Sequence, residues 1–255
     1  MWYRLQNLNC RVLLGCLAAG LVLGLARPAA AQFGFGGGAP QGPAREVAPI
    51  DLTGQWVAIV TEDWRFRMTV PPANDFPGLP LNQAARAVAA AWDPAADEVA
   101  GESCKAYGAG GIMRMPTRLR IDWAGDSTLQ IETDAGRQLR TLQFSDEPDR
   151  DGAGGWQGVS TAEWEFHGGS GNGSLKVVTT AMRAGYFRKN GIPYSADAVL
   201  NEHYDLLVQH DGTEWLVVLS VLDDPTYYTQ PIITSSNFRR EANRSGWDPT
   251  DCRVD

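Results

Sequence analysis

Only three histidines occur in the 255 residues, and one of them stands where proton transfer is feasible. His203 lies in Asn201-Glu202-His203-Tyr204-Asp205. On a strand, alternation puts His203 and Asp205 on one face, with Glu202 and Tyr204 on the other. A histidine beside a carboxylate is an oriented general acid or base. The same residues also read as a polar strand face in solvent. His167, opening the HGGSGNG loop, and His210, before Asp211-Gly212, sit at turns. Glu132 is the second catalytic candidate. Arg118, Arg120 and Asp122, like Gln130 and Glu132, alternate opposite an apolar set. Facing solvent they form cross-strand ion pairs of small worth. Facing a polar lumen, Glu132 and Arg140 would act on a substrate.

The aromatic residues suggest binding. Trp64-Arg65-Phe66-Arg67, after Glu62-Asp63, alternates aromatic with cation, and Trp56, Trp64, Trp123, Trp156, Trp164 and Trp215 fall in or beside expected strands. In a closed barrel of eight or more strands such side chains fill or line the interior. An indole-walled interior with a few polar groups suits a small apolar or aromatic ligand. The expected walls are Trp56, Trp64, Trp123 and Trp164. Arg65, Tyr204, His203 and Glu132 are the candidate polar contacts, although alternation also lets Arg65 and Glu132 point outward.

Other chemistries find incomplete motifs. Metal-binding HExxH and paired-histidine spacings are absent. Asp149, Asp151 and Gly152 match the middle of a calcium loop, but Gly158 stands where its closing glutamate is required. Gly158-Val159-Ser160-Thr161-Ala162 lacks the last glycine of a nucleophile elbow and lies in a β run. Gly34, Gly36 and Ala39 match GxGxxA without a preceding strand and with Pro40 following, so no dinucleotide site is expected. No cofactor is implied.

The elements positioning these residues are mostly strands. Leu52–Val60, Trp64–Val70, Arg118–Trp123, Leu129–Thr133, Gln138–Phe144, Val159–Phe166, Leu175–Met182, Leu200–Gln209, Glu214–Leu222 and Ile232–Phe238 read as β. Asn172-Gly173 and Asp211-Gly212 sit at hairpin positions. Leu81–Trp92 is the one expected helix, with Leu81, Ala85, Val88 and Trp92 on one face and Asp93-Pro94 ending it. The Phe187–Tyr194 loop reads as a turn on Asn190-Gly191, or as a cover for a barrel mouth. Such spacing predicts an all-β, mainly antiparallel domain over residues 50–255, a barrel or a sandwich with one inserted helix and not a βαβ fold.

The N-terminus reads as an address. Arg4 and Arg11 precede an apolar run of 15 residues, Val12–Ala26, and Ala29-x-Ala31 offers a cleavage site before Gln32. That is the pattern of a secretory signal peptide over residues 1–31, and the run is short for a membrane span. Residues 32–49, rich in Gly and Pro, read as a flexible leader. Cleavage leaves 19 basic against 30 acidic residues, a formal charge of -11. That balance argues against nucleic acid and anionic lipid as partners, and no second apolar stretch implies membrane insertion after cleavage. The oligomeric state is left open. A periplasmic or secreted location leaves Cys104 and Cys252 as the mature cysteines, and in an oxidising compartment the two are expected to pair.

Asp51-Leu52-Thr53-Gly54-Gln55-Trp56 resembles the Gly-x-Trp opening of lipocalins and other calycin barrels, which implies a tryptophan closing one barrel end. Cys104, Ile112-Met113-Arg114 with Pro116, Ile131-Glu132-Thr133, Trp156-Gln157-Gly158 with Ser160 and Trp164, Leu175–Thr180, Asp224-Pro225 and Tyr228-Thr229-Gln230-Pro231 together resemble a broad group of secreted bacterial β-rich proteins. That resemblance implies export and β architecture and supplies no reaction. Three expectations follow: an exported barrel binding a small apolar or aromatic molecule, an isomerase, hydratase or lyase in the same barrel, or a structural or partner-binding envelope protein.

Overall fold

The computed structural model describes residues 40–168, 172–243 and 245–254. The expected signal peptide, its cleavage site and the GxGxxA match lie outside the described residues.

Nine strands close into a barrel. In chain order the strands are β1 (Gly54–Ala58), β2 (Arg118–Gly125), β3 (Thr128–Thr133), β4 (Leu139–Gln143), β5 (Val159–Phe166), β6 (Gly173–Thr180), β7 (Gly185–Arg188), β8 (Ile192–Tyr194), β9 (Val199–Val208), β10 (Glu214–Asp223) and β11 (Ile232–Glu241). Round the barrel the order is β1-β11-β10-β9-β6-β5-β4-β3-β2, and β2 pairs back with β1. Every neighbouring pair is antiparallel except β4–β5, which is parallel and joined at only two positions, Leu142 with Ser160 and Gln143 with Thr161. Period-2 alternation fills the interior. Leu119 and Ile121, Leu129 and Ile131, Leu175 and Val177, Leu216 and Val218 are all buried in one contiguous core.

The segment between β1 and β2 carries more helix than expected. It holds α1 (Trp64–Arg67), α2 (Gln83–Ala90), α3 (Pro94–Val99), a 3-10 turn at Lys105–Tyr107 and α4 (Ala109–Ile112). The expected strand at Trp64–Val70 is instead a single helical turn, entered through Asp63 in a left-handed conformation with φ 50°. Ala85 and Ala89 form the buried face of α2, with Leu81 buried just before it, and Val88 is turned to solvent. α2 ends at Ala90, and Asp93-Pro94 starts α3. The Asp93 carboxylate accepts from the Ala95 and Ala96 amides, and Pro94 takes the first helical turn, where its missing N–H costs nothing.

Ala106, Tyr107, Ile112, Met113 and Met115 join the barrel core, so the 3-10 turn and α4 close one end of the barrel. The β7–β8 hairpin, turning at Asn190-Gly191 with Gly191 at φ +79°, packs beside them. Glycine at 108 is needed for this closure. A Cβ there would lie 2.1 Å from the Tyr194 hydroxyl oxygen and 2.8 Å from the Trp156 carbonyl oxygen. Part of the expected leader also folds against the barrel. The Arg45 amide donates to the Asp126 carbonyl, and the Trp164 indole donates to the Ala44 carbonyl at 2.8 Å.

Candidate functional site

The barrel interior holds one buried polar cluster among the described residues. Arg140, Glu202, Tyr204 and Thr179 all have no exposed surface. Arg140 projects inward from β4, between the parities of exposed Leu139 and Thr141. Its Nη1 and Nη2 donate to the two Glu202 carboxylate oxygens at 3.1 and 2.5 Å. Nη1 also donates to the Tyr204 hydroxyl at 3.2 Å, and Nη2 to Thr179 Oγ1 at 3.3 Å. Burial alone pushes the Arg140 pKa down, but the Glu202 charge outweighs it and the guanidinium is held above its ordinary value. Burial pushes the Tyr204 hydroxyl up, so it stays neutral. This cluster is a buried ion pair whose acceptors are satisfied, with Arg140 Nε left without a partner.

The structure brings Trp123 and Trp164 together, but the expected site residues do not all converge on one site. Trp56 is buried at the barrel interior, its indole donating to the Leu52 carbonyl at 2.9 Å, with the Arg240 guanidinium 4.2 Å from its ring centre. Trp123 and Trp164 are half-buried and meet through Phe144, with ring centres 5.5 and 5.3 Å from it. Trp64 does not wall the barrel. It stands 65% exposed on α1. Arg65 also points outward and pairs with Asp75, because a helical turn swings both residues away from the face that carries Arg67. Glu132 is exposed on β3 opposite Arg120, so the pleat places it outside the lumen. His203 lies on the outer face of β9, where Nδ1 is 3.2 Å from Glu165 Oε2. The alternation between His203 and Tyr204 is as expected, but the acid/base candidate is on the solvent side.

A different constellation forms at the capped end. Arg67 from α1, Arg114 after α4 and Arg188 at the end of β7 converge there, each no more than 7% exposed. Arg67 Nε donates to the Arg114 carbonyl at 2.6 Å. Arg114 and Arg188 each donate through Nη2 to the same oxygen of Asp63, at 3.0 and 3.3 Å. Aromatic faces shield two of the charges. Arg114 lies 4.6 Å from the Phe187 ring centre and Arg188 4.3 Å from that of Phe66. Beside the guanidiniums is a recess of about 220 Å³, walled by Phe66, Met68, Tyr107, Met115 and Phe187.

No protein-family model, curated protein or solved structure matches this chain.

Burial, and then the charge of Arg114, depress the Arg67 guanidinium to about 10, so it stays charged at neutral pH. Burial also lowers Arg114 and Arg188. Burial tends to raise the Asp63 carboxyl, but the hydrogen bonds and charges of Arg114 and Arg188 prevail and hold it below the usual carboxylate range. Sequence reading missed this cluster because its members are 47 and 74 positions apart. A signal did exist. Phe66-Arg67, Met113-Arg114 and Phe187-Arg188 each set an arginine directly after a large apolar residue, outside the strands that build the barrel.

Cys104 and Cys252 are bonded, 148 positions apart. Among the described residues no group of three or more His, Cys, Asp or Glu side chains is placed to hold a metal ion, and no helix is long and apolar enough to cross a membrane.

Proposed function

We propose that this protein is an exported binding protein that seats a small, largely apolar molecule at the capped end of its barrel. The recess beside the arginine cluster carries the reading. An apolar cavity of about 150 Å³ holds benzene, so about 220 Å³ accepts one ring or a short branched chain. The walls come from α1, the 3-10 turn, the segment after α4 and β7, all anchored on the closed barrel. That is the usual arrangement of a rigid scaffold with binding residues on its connecting segments. Buried Trp56 under Arg240 supports a calycin-like reading of the scaffold, while nine strands and a parallel pair depart from the eight of lipocalins. The Cys104–Cys252 bridge supports an oxidising compartment, as export requires. Acid/base chemistry by His203 or Glu132 inside the barrel does not fit, since both side chains lie outside it.

The test is ligand-observed NMR with one-ring and short-chain compounds against the full chain. Binding is expected, and is expected to disappear in Val70→Trp, where a large side chain at a 37% exposed position on the recess fills it without disturbing the core. Binding that survives Val70→Trp but is lost in Trp164→Ala moves the site to the groove beside Phe144 and Trp164. If no compound binds, the structural or partner-binding reading takes precedence.

A further inference from the structure

We infer that the recess recognises a carboxylate, so that its ligand is a compact apolar acid whose carboxylate pairs with Arg67. This rests on the recess being the binding site and adds the chemical class of the ligand.

The argument starts from an unpartnered charge. Arg67 is 7% exposed and lines the recess. Its Nε is committed to the Arg114 carbonyl, while Nη1 and Nη2 are both buried without a hydrogen-bond partner. A buried charge of this kind is costly unless it is paired and hydrogen-bonded. Asp63, the carboxylate that bonds to the cluster, is already shared by Arg114 and Arg188. Glu62 and Asp63 act on Arg67 only through space, against the repulsion of Arg114. Arg188 likewise keeps Nε and Nη1 without a partner. The cluster thus holds more positive charge than its own acids contact.

The geometry of the guanidinium selects the anion. Nη1 and Nη2 form the flat end of the guanidinium fork, two parallel donors that match the two oxygens of a carboxylate. Phe66, Met115 and Phe187 line the same recess as Arg67, and their apolar surface suits a hydrocarbon or aryl body rather than a free inorganic ion, with a shift of the Arg67 side chain toward the recess presenting its buried fork to the carboxylate. A carboxylate seated here would also offset the burial and the Arg114 charge that together depress Arg67.

The experiment uses matched pairs of probes: benzoate with benzamide, and phenylacetate with phenylacetamide, titrated calorimetrically into the full chain with its disulfide intact. Hydrogen bonds to charged groups are strong enough that the acid should bind about tenfold or more tighter than its amide. Arg67→Gln should erase that preference, with circular dichroism confirming the fold. If Arg67→Gln does not fold, the wild-type protein still decides. Rising sodium chloride should weaken the acid and leave the amide unchanged. Equal affinity for acid and amide overturns the inference and leaves the recess as a neutral site. Tighter binding of phenylphosphonate than benzoate overturns the carboxylate assignment in favour of a tetrahedral oxyanion. If neither member of any pair binds, the recess is not the site, and both readings fall.

Discussion

Arg140 holds a charge inside the barrel, and its partner Glu202 is equally buried. Such a pair contributes little net stability, because desolvation offsets most of the attraction, yet removing one member strands the other. Arg140→Met is therefore expected to cost about 3–5 kcal/mol, and the combined Arg140→Met and Glu202→Leu protein to recover most of that loss. Urea denaturation of the single and double variants checks this. A double variant as unstable as the two singles added together would refute it. The sequence carried half of this cluster. Arg140 shares its parity with Leu142, and Tyr204 and Glu202 share theirs, so the faces were legible. Which face lines the lumen was not, because His203 has the more suggestive chemistry and its neighbours have the burial. At the capped end nothing in local spacing joins Arg67, Arg114 and Arg188, since only the tertiary fold brings them together.

At the scale of elements, the barrel strands were legible because alternation is long and regular there. Short elements were not. Trp-Arg-Phe-Arg alternates over four residues, and that is too short to separate a strand from one helical turn. The β7 and β8 strands have four and three residues, with charge and proline in their turn region. The parallel β4–β5 pair had a sequence signal of another kind. Residues 144–158 between these strands exceed any tight hairpin loop and have the length that a parallel crossover demands. This seam has two paired positions, against ten between β9 and β10. Beyond those two pairs Phe144 lies between Trp123 and Trp164 in tilted ring contacts, and Gln143 bonds to the Asp149 backbone of the connecting segment. Local opening follows exposed or missing backbone pairing. Hydrogen exchange should therefore be faster in peptides spanning 139–143 and 159–166 than in those spanning 199–208 and 214–223. Equal protection across the four would show that the side chains seal the seam as well as a ladder does.

For the whole molecule, the C-terminal tail ties the capped end together. Cys252 is bonded to Cys104, directly before the 3-10 turn that brings Tyr107 to the recess. The Tyr107 hydroxyl accepts from the Arg253 amide at 3.1 Å, and the Thr250 amide donates to the Asp134 carbonyl at 2.9 Å. The tail therefore braces the wall of the proposed binding site as well as closing a long loop. Closing a loop of 148 positions removes unfolded-state entropy worth up to about 5 kcal/mol in the chain-entropy model. Cys252→Ser is expected to lower the free energy of unfolding by about 2–5 kcal/mol. It should also weaken ligand affinity in the recess beyond what the stability loss alone explains, because Tyr107 loses its brace. The check has two parts: denaturant unfolding of the variant beside the wild type under reducing conditions, and calorimetric titration of the folded variant. Wild type with reductant should match the variant without it in both. A variant that loses stability but binds as the wild type does would mean that the tail acts on the unfolded chain alone, and that the recess is shaped by α1, α4 and the β7–β8 hairpin without it.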